Sequence, residues 1–121
     1  MSLNKVMLIG FVGSTPQMRD LESGKIATFS LATSEKYKDR SGNLREDTTW
    51  HSCIAFSSMA DTISRLVDKG TQIYVEGKLR NRKYTDKTGY ERTLTEIVVN
   101  GIQLVGGGQS RQESDPAEGI F

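Results

Sequence analysis

The sequence predicts an all-β protein, a small barrel with one short helix. Five segments have the apolar patterns of strands and are bounded by turns rich in Gly, Asp, Asn and Ser. One segment alone has the 3.6-residue period of a helix, and it lies between the third and fourth strands. This order is that of the OB-fold, a five-stranded Greek-key barrel. A two-sheet sandwich would need about seven strands, and an α/β fold would need alternating helices.

The first predicted strand, residues 5–12, is apolar on both of its faces. A strand with one face in water would alternate apolar with polar residues. The strand is therefore either central to the core or covered on its second face by another subunit. Turns are predicted at residues 13–16 and 22–24. The second strand, residues 25–35, alternates apolar with small polar residues.

The third strand is predicted over residues 47–56, which are rich in Thr, aromatic and branched residues. The helix follows at about residues 59–69, where apolar residues recur near a 3.6 period. The fourth strand, residues 71–84, is unusually long. Its antiparallel partner covers residues 90–104, joined through the loop Asp86-Lys87-Thr88-Gly89, whose length and glycine are typical of a hairpin.

The chain divides into residues 1–105, predicted as one folded domain, and residues 106–121, predicted as a short disordered acidic tail that ends in Ile-Phe. Its one cysteine, Cys53, cannot form an intramolecular disulfide, which favours a reducing, cytoplasmic compartment. No apolar run approaches the roughly 20 residues that span a bilayer, and the N-terminus lacks the pattern of a secretory signal. Secreted and membrane-bound classes are therefore disfavoured.

Positive charge is concentrated in the fourth strand and the hairpin that follows. The formal net charge is only +1, yet six cations and two anions lie between Lys78 and Arg92. One face of the fourth strand carries Tyr74, Glu76, Lys78, Arg80, Arg82 and Tyr84. Cations contact a phosphate chain and flat rings stack on unpaired bases, so this combination favours single-stranded nucleic acid. The alternative is an ordinary solvated sheet face.

Two large rings share one face of the third strand. Trp50 and Phe56 alternate with Cys53 and Ala55, so the two pairs point to opposite sides. If the small residues face the core, the rings are exposed, and an exposed pair of rings indicates a binding surface. If the rings face the core, they are ordinary packing residues, the more common fate of a tryptophan.

An enzyme is the first rival interpretation, and the sequence supplies no catalytic constellation for it. His51 and Cys53 are the only residues of their types, and a Cys/His pair needs an activated thiolate and an orienting third group. Two ligands are too few for a zinc site, and no Gly-Lys-Ser/Thr loop for nucleotide phosphates is present. We therefore predict no catalysis, no metal and no cofactor.

Several motifs together resemble the bacterial-type single-stranded-DNA-binding protein family over about residues 3–105. They are Asn4-Lys5-Val6, Ala32-Thr33-Ser34-Glu35, Thr49-Trp50-His51, Tyr74-Val75-Glu76-Gly77-Lys78-Leu79-Arg80 and Arg82-Lys83-Tyr84-Thr85-Asp86. The resemblance implies an OB-fold that assembles as a homotetramer and wraps single-stranded DNA (ssDNA) without performing chemistry. It also implies sequence-independent protection of ssDNA in replication, recombination and repair.

The resemblance assigns roles to individual residues. The positions that match the family's stacking aromatics are Tyr37, Trp50, Phe56 and Tyr84. The cations expected to follow the phosphate backbone are Lys5, Lys36, Lys38, Arg80, Arg82 and Lys83. Tyr37 lies among three cations of a predicted loop, where a solvated ring is the alternative. Ser52 and Ser58 stand where relatives often carry basic residues, which predicts a shallower salt dependence.

The C-terminal tip is shorter and more degenerate than the family's pattern. Its acidic and apolar residues would dock on a basic, hydrophobic pocket of replication or repair proteins. The residues involved are Asp115, Pro116, Glu118, Ile120 and Phe121. A merely solubilising tail is the alternative.

The second rival interpretation, for the whole chain, is an OB domain that binds protein or RNA. Nothing in the sequence excludes binding of ssRNA.

Overall fold

The computed structural model describes residues 1–106. It confirms a mostly β fold with one short helix between two long strands. The elements in chain order are β1 (Val6–Val12), β2 (Gln17–Leu21), β3 (Gly24–Lys38), β4 (Leu44–Phe56), α1 (Ser57–Leu66), β5 (Gln72–Thr85) and β6 (Glu91–Leu104).

Strand β2 is the one that the sequence pattern does not predict. All five of its residues are exposed, so no apolar alternation marks it as a strand. It forms because the turn after Leu21 brings it back against β3, with Leu21 opposite Gly24 and Gln17 opposite Thr28. A tight hairpin thus adds a sixth strand at the sheet edge.

The strands close into a barrel around one apolar core. The sheet order is β1-β5-β6-β4-β3-β2, and β1 also pairs with β3 at Phe11 and Val12. One pairing is parallel, between β4 and β6, where Cys53 lies opposite Ile97. The largest fully buried side chains are Leu31, Ile63, Ile73 and Val75. Since three of them come from strands and Ile63 from α1, the helix closes one side of the core.

Helix α1 begins and ends earlier than its apolar period predicts. It covers Ser57–Leu66 rather than residues 59–69, and its buried residues are Ala60 and Ile63. Val67 is extended and packs into the core beside the helix. Gly70, with φ of 87°, donates its N–H to the carbonyl of Val12. The chain therefore leaves the helix to reach the barrel.

A β-bulge between β5 and β6 keeps both strands facing the core on the two sides of a register shift. The register shifts at Glu76/Gly77, where Glu76 lies opposite Gly101 but Gly77 lies opposite Val99. This extra residue in β6 moves the core-facing positions from Ile102 to Val99 and Ile97. A Cβ at position 77 would overlap the carbonyl oxygen of Val98. Glycine is therefore required for the two backbones to approach here.

Two hairpins extend beyond the core. The first arm, residues 34–49 of β3 and β4, and the second arm, residues 81–93 of β5 and β6, are exposed on both faces of their strands apart from a partly buried aspartate at each tip. The strands of each arm remain paired up to the tip. The barrel thus carries two projecting β-ribbons, and most of the site residues predicted from the sequence lie on them or at their bases.

Candidate nucleic-acid interface

The faces of β4 resolve the two interpretations of its aromatic residues. Trp50 is 60% exposed and Phe56 is 37% exposed, whereas Cys53 and Ala55 are buried. The alternation is unbroken because β4 pairs with β3 in one register from Ile26/Phe56 to Lys38/Leu44. The small residues face the core and the rings face outward. Trp50 is therefore not a core residue in this chain.

The outward face of β4 continues onto β5 and β6. Arg80 of β5 places its guanidinium carbon 5.5 Å from the centroid of the Phe56 ring, within the range of a cation–π contact. Arg82 lies two positions along the same face, and a shallow pocket lined by Ile54, Phe56 and both arginines joins the strands. An aromatic ring, an aliphatic side chain and two cations thus share one outward sheet surface.

Glu96 is a residue of this surface that the sequence interpretation missed. It is 3% exposed and accepts hydrogen bonds from Arg80 Nε at 3.0 Å and Arg82 Nε at 3.1 Å. Burial alone would raise the pKa of Glu96, but the hydrogen bonds and charges of the two arginines outweigh it and hold the pKa below its ordinary value. One carboxylate therefore holds both guanidinium groups on the sheet.

The hairpin register was the signal that could have found Glu96. The loop at Asp86–Gly89 sets the pairing of β5 with β6, and counting back from it brings Arg80 opposite Glu96. A single acidic residue next to the apolar run Ile97-Val98-Val99 is also unusual. Arg80 and Arg82 on the paired strand explain why a carboxylate is buried at this position.

The four aromatic residues predicted to stack do not all lie on one face. Tyr84 shares the outward face of β5 with Arg80 and Arg82, at the far end of the second arm. Tyr37 lies in the first arm on the core-side face of β3. The β3 residue that pairs with Trp50, Ala32, points to the opposite face. A single nucleic-acid strand that contacted all four rings would therefore have to cross from the outward sheet surface to the other face of the first arm.

The predicted phosphate-contacting lysines differ in their surroundings. Lys5 Nζ lies 2.8 Å from a carboxylate oxygen of Glu76, so its charge is already partnered. Lys36 lies directly across the strands from Glu46. Lys38 and Lys83 are exposed on the two arms. Among these cations Arg80 lies over the Phe56 ring, Lys38 and Lys83 are sequence neighbours of Tyr37 and Tyr84, and Lys5 directly precedes β1.

Gly13 supports the ring of Trp50. A Cβ at this position would overlap the outer edge of the indole and would also approach the hydroxyl of Ser30. The backbone of Gly13 is fixed because its N–H donates to the carbonyl of Ser30 at 2.9 Å. The ring can therefore lie against the turn after β1 only because residue 13 has no side chain.

Comparison with known proteins identifies the family. Residues 3–105 match the Single-strand binding protein family. The chain belongs to this family.

Individual relatives agree with that assignment. The chain is 48% identical over 106 residues to single-stranded DNA-binding protein 1 of Chlorobaculum tepidum, covering 86% of this chain and 65% of that protein. It is 40% identical over 119 residues to the single-stranded DNA-binding protein of Neisseria meningitidis serogroup A, covering 98% of this chain and 68% of that one. Among solved structures, the SSB of Plasmodium falciparum in complex with ssDNA has a TM-score of 0.78 and 36% identity, covering 88% of this chain and 97% of that chain.

Membership in the Single-strand binding protein family, whose members bind DNA and are not enzymes, confirms the prediction of a non-catalytic protein. The surroundings of Cys53 agree with it. Burial raises the pKa of the Cys53 thiol to about 12, so the reactive thiolate is scarce at neutral pH. The His51 ring bonds through Nε2 to the hydroxyl of Thr33 at 2.9 Å, and the Cys53 thiol donates to the backbone carbonyl of His51 rather than to its ring.

Two further findings concern residues 1–106. No group of three or more potential metal ligands is found in that range, and no helix within it has the length and hydropathy to cross a bilayer. The predicted tail residues lie outside the described part of the chain. These are Asp115, Pro116, Glu118, Ile120 and Phe121.

Replacing Gly13 with alanine should displace the Trp50 ring while leaving the barrel folded. The new methyl group takes the space of the ring's edge, and the half-exposed ring can swing toward solvent at a cost of about 1–2 kcal/mol. Because Trp50 is the only tryptophan, we expect a red-shifted emission maximum and stronger quenching by acrylamide. Ser14→Ala, one residue along, is the matched control and should leave emission unchanged. Unaltered emission in Gly13→Ala would show that the ring is held elsewhere.

Proposed function

We propose that this chain binds and protects single-stranded DNA without regard to base sequence and without catalysis. Bases stack on Tyr37, Trp50, Phe56 and Tyr84. The phosphate backbone is contacted by Lys5, Lys36, Lys38, Arg80, Arg82 and Lys83. Family membership and the likeness to an SSB that was solved with ssDNA support this function.

The observation that carries the proposal is the exposed ring surface of β4. Trp50 and Phe56 face outward on one strand, with the guanidinium of Arg80 over the Phe56 ring. Exposed rings are unfavourable in water unless a ligand covers them, and each stacked base contributes about 1–3 kcal/mol. Stacking does not depend on which base is present, so this surface fits binding that is independent of sequence.

Glu96 sets how much of the positive charge is available to DNA. Arg80 and Arg82 share its carboxylate, so the three groups together carry one net positive charge at neutral pH. The arginine side chains remain partly exposed, and a phosphate can reach them from solvent. We therefore expect the stacking rings to contribute more to the affinity than the arginines do, with a modest dependence on salt.

Self-association is the second part of the proposal. On β1, Met7, Ile9 and Phe11 are exposed on one face, whereas the other face packs into the core. Within residues 1–106, β1 pairs with β5 along its length but with β3 only at Phe11 and Val12. A second copy covering this apolar face fits a homotetramer of paired dimers. Sedimentation of the full chain measures this directly, through a mass four times that of one chain.

We place the DNA-binding and oligomerising unit in residues 1–105 and assign residues 106–121 to a tail that recruits replication and repair proteins through its terminal Ile-Phe. The cellular roles are replication, recombination and repair, in the reducing cytoplasm that the lone buried Cys53 favours. Pull-down with the full chain and with a variant that lacks Ile120 and Phe121 tests the tail.

The test of the function is a titration of Trp50 fluorescence with oligo(dT) of increasing length, at low and high salt. A base stacked on the ring quenches its emission, and Trp50 is the only tryptophan. We expect strong quenching that saturates at a defined number of nucleotides per protein. Duplex DNA of the same length is the control and should compete poorly, because its bases are already stacked on one another.

Three other outcomes are informative. Absence of quenching by dT from the folded protein would contradict the function. Equal binding of duplex and single strands would mean that charge rather than stacking drives association. Tighter binding of oligo(rU) than of oligo(dT) would favour the RNA-binding alternative.

A further inference from the structure

The two arms of the barrel carry the same ten-residue pattern. Residues 36–45 and residues 83–92 both read Lys-Tyr-x-Asp-x-Ser/Thr-Gly-x-x-Arg. The pattern places a lysine and a tyrosine on the outgoing strand, an aspartate and a glycine at the tip, and an arginine on the returning strand. The two segments lie in different hairpins of one chain, so the shared pattern is a repeat within the fold.

The two tips form the same hydrogen bonds from the backbone, and the second has one more, from the Thr88 hydroxyl to Asp86 Oδ1 at 2.7 Å. In the first arm Asp39 Oδ1 accepts the N–H groups of Ser41 and Asn43, each at 2.9 Å. In the second arm Asp86 Oδ1 accepts the N–H groups of Thr88 at 2.9 Å and Tyr90 at 3.1 Å. The glycine of each tip also donates its N–H to the aspartate carbonyl at 3.0 Å.

Each tip aspartate also holds the arginine of the returning strand. Arg45 Nε donates to Asp39 Oδ2 at 2.9 Å, and Arg92 Nε donates to Asp86 Oδ2 at 2.8 Å. Both arginine side chains are 59% exposed, so each guanidinium keeps a face in solvent. One carboxylate therefore joins the turn to the strand that leaves it.

The arginine held in this way lies directly across from the arm's tyrosine. Tyr37 is the cross-strand partner of Arg45, and Tyr84 is the partner of Arg92. Side chains of directly opposed residues share a face, with Cβ atoms about 5 Å apart. Each tyrosine therefore shares a face with an adjacent arginine that is held by the tip aspartate.

We propose that Asp39 and Asp86 are positioning residues, which act through Arg45 and Arg92 to hold Tyr37 and Tyr84 for base stacking, so that the two arms are equivalent DNA-binding units. This inference rests on the proposed function and adds four residues to it. A preorganised ring loses less side-chain freedom when a base stacks on it, and binding is correspondingly stronger. An acidic residue in each arm thus favours the binding of a polyanion.

The direction of the pKa shifts agrees with these bonds. The hydrogen bond from Arg45, followed by those from the backbone of the turn, holds the pKa of Asp39 below its ordinary value. For Asp86, the hydrogen bonds from Thr88 and Arg92 lower the pKa to about 2. Both carboxylates are ionised across the physiological range, so each arm keeps its aspartate–arginine pair there.

Simple electrostatics predicts the opposite sign for the same residues. Removing a carboxylate near the DNA adds one positive charge to the surface and should tighten binding, with a steeper dependence on salt. Asp39→Asn and Asp86→Asn keep the size of the side chain but provide no second carboxylate oxygen for the arginine. If the aspartates position the rings, these variants bind dT more weakly despite their added charge.

The experiment compares dT binding by the full-length chain and its Asp39→Asn, Asp86→Asn and doubly substituted variants, with Trp50 fluorescence as the readout. We expect each single variant to bind about 3- to 10-fold more weakly, and the effects of the two arms to multiply because the arms are separate. Asp61→Asn is the matched control: it adds the same charge on the exposed face of α1, where Asp61 pairs with Lys25. It should bind as tightly as the parent or slightly more so.

A second background separates positioning from a general structural role. In Tyr84→Ala the ring is absent, so adding Asp86→Asn should leave affinity unchanged or raise it through charge alone. Equal weakening with and without Tyr84 would overturn the proposal, as would unchanged or tighter binding by both single variants. If the parent chain itself does not bind dT, the proposed function has failed instead.

Discussion

Replacing Trp50 with alanine is expected to weaken ssDNA binding strongly while the protein remains folded. The ring is 60% exposed, so its loss opens no cavity in the core. A stacked base is worth about 1–3 kcal/mol, which corresponds to a loss of about 5- to 150-fold in affinity for each chain. Since the variant lacks the only tryptophan, affinity is measured by anisotropy of labelled dT and folding by circular dichroism.

A buried aromatic residue provides the control for Trp50→Ala. Phe29 lies in the core cluster, and its replacement by alanine should destabilise the fold by about 3–5 kcal/mol. The two variants should therefore separate: Trp50→Ala loses binding and keeps its melting temperature, whereas Phe29→Ala loses melting temperature. If Trp50→Ala melts as early as Phe29→Ala, the indole contributes to the fold and the proposed role of its exposed face is wrong.

Replacing Glu96 with glutamine should change stability and affinity in opposite directions. The buried carboxylate accepts charge-assisted hydrogen bonds from Arg80 and Arg82, and a neutral amide accepts weaker ones. Because the arginines are partly exposed, we expect a loss of only about 1–2 kcal/mol in the free energy of unfolding. Both guanidinium groups then become available to phosphates. Affinity for dT should rise several-fold, and the salt slope should steepen by about 0.7 for each additional phosphate that an arginine neutralises.

Glu91→Gln is the matched control for Glu96, since it makes the same charge change at an exposed position of the same strand. It should affect neither stability nor the salt slope to a comparable degree.

The pH dependence of stability gives a second check. The lowered pKa of Glu96 means that its stabilisation is present above about pH 4.5, the ordinary range of a glutamate, and is lost as the pH falls through the lower folded value. That acid-induced loss of stability should be smaller in Glu96→Gln. If Glu96→Gln binds dT with the same affinity as Glu91→Gln, Glu96 does not compete with phosphates for the two arginines.

The sequence predicted the barrel because its core strands carry strong patterns. The alternation in β3 and β4 and the apolar residues of α1 reflect burial in one shared core. Strand β2 escaped prediction because no residue in it is buried. The end of α1 was misplaced for a related reason: Val67 is buried, but as an extended residue next to the helix. Periodicity reports burial, and it does not distinguish which element brings a residue into the core.

The candidate site was predictable where it depends on the alternation along one strand. Alternation along β4 puts Trp50 and Phe56 on one face, and alternation along β5 puts Tyr84 with Arg80 and Arg82, but the outward direction of the β4 rings was settled only by the structure. Contacts between strands were less accessible. Glu96 and the arginines are brought together by the pairing of β5 with β6, and Gly13 meets Trp50 only through the closure of the barrel. The roles of these residues in DNA binding remain predictions.

The order in which the barrel closes follows from the pairing of β1. Each arm is a hairpin whose strands adjoin in sequence, with Tyr84 opposite Arg92 and Tyr37 opposite Arg45. Strand β1, in contrast, pairs with β5, so that Val6 lies opposite Gly77 across most of the described chain. Contacts between distant residues form slowly because the intervening loop must first be ordered. Both arms should therefore be formed before the barrel shuts, and destabilising mutations at either tip should slow folding.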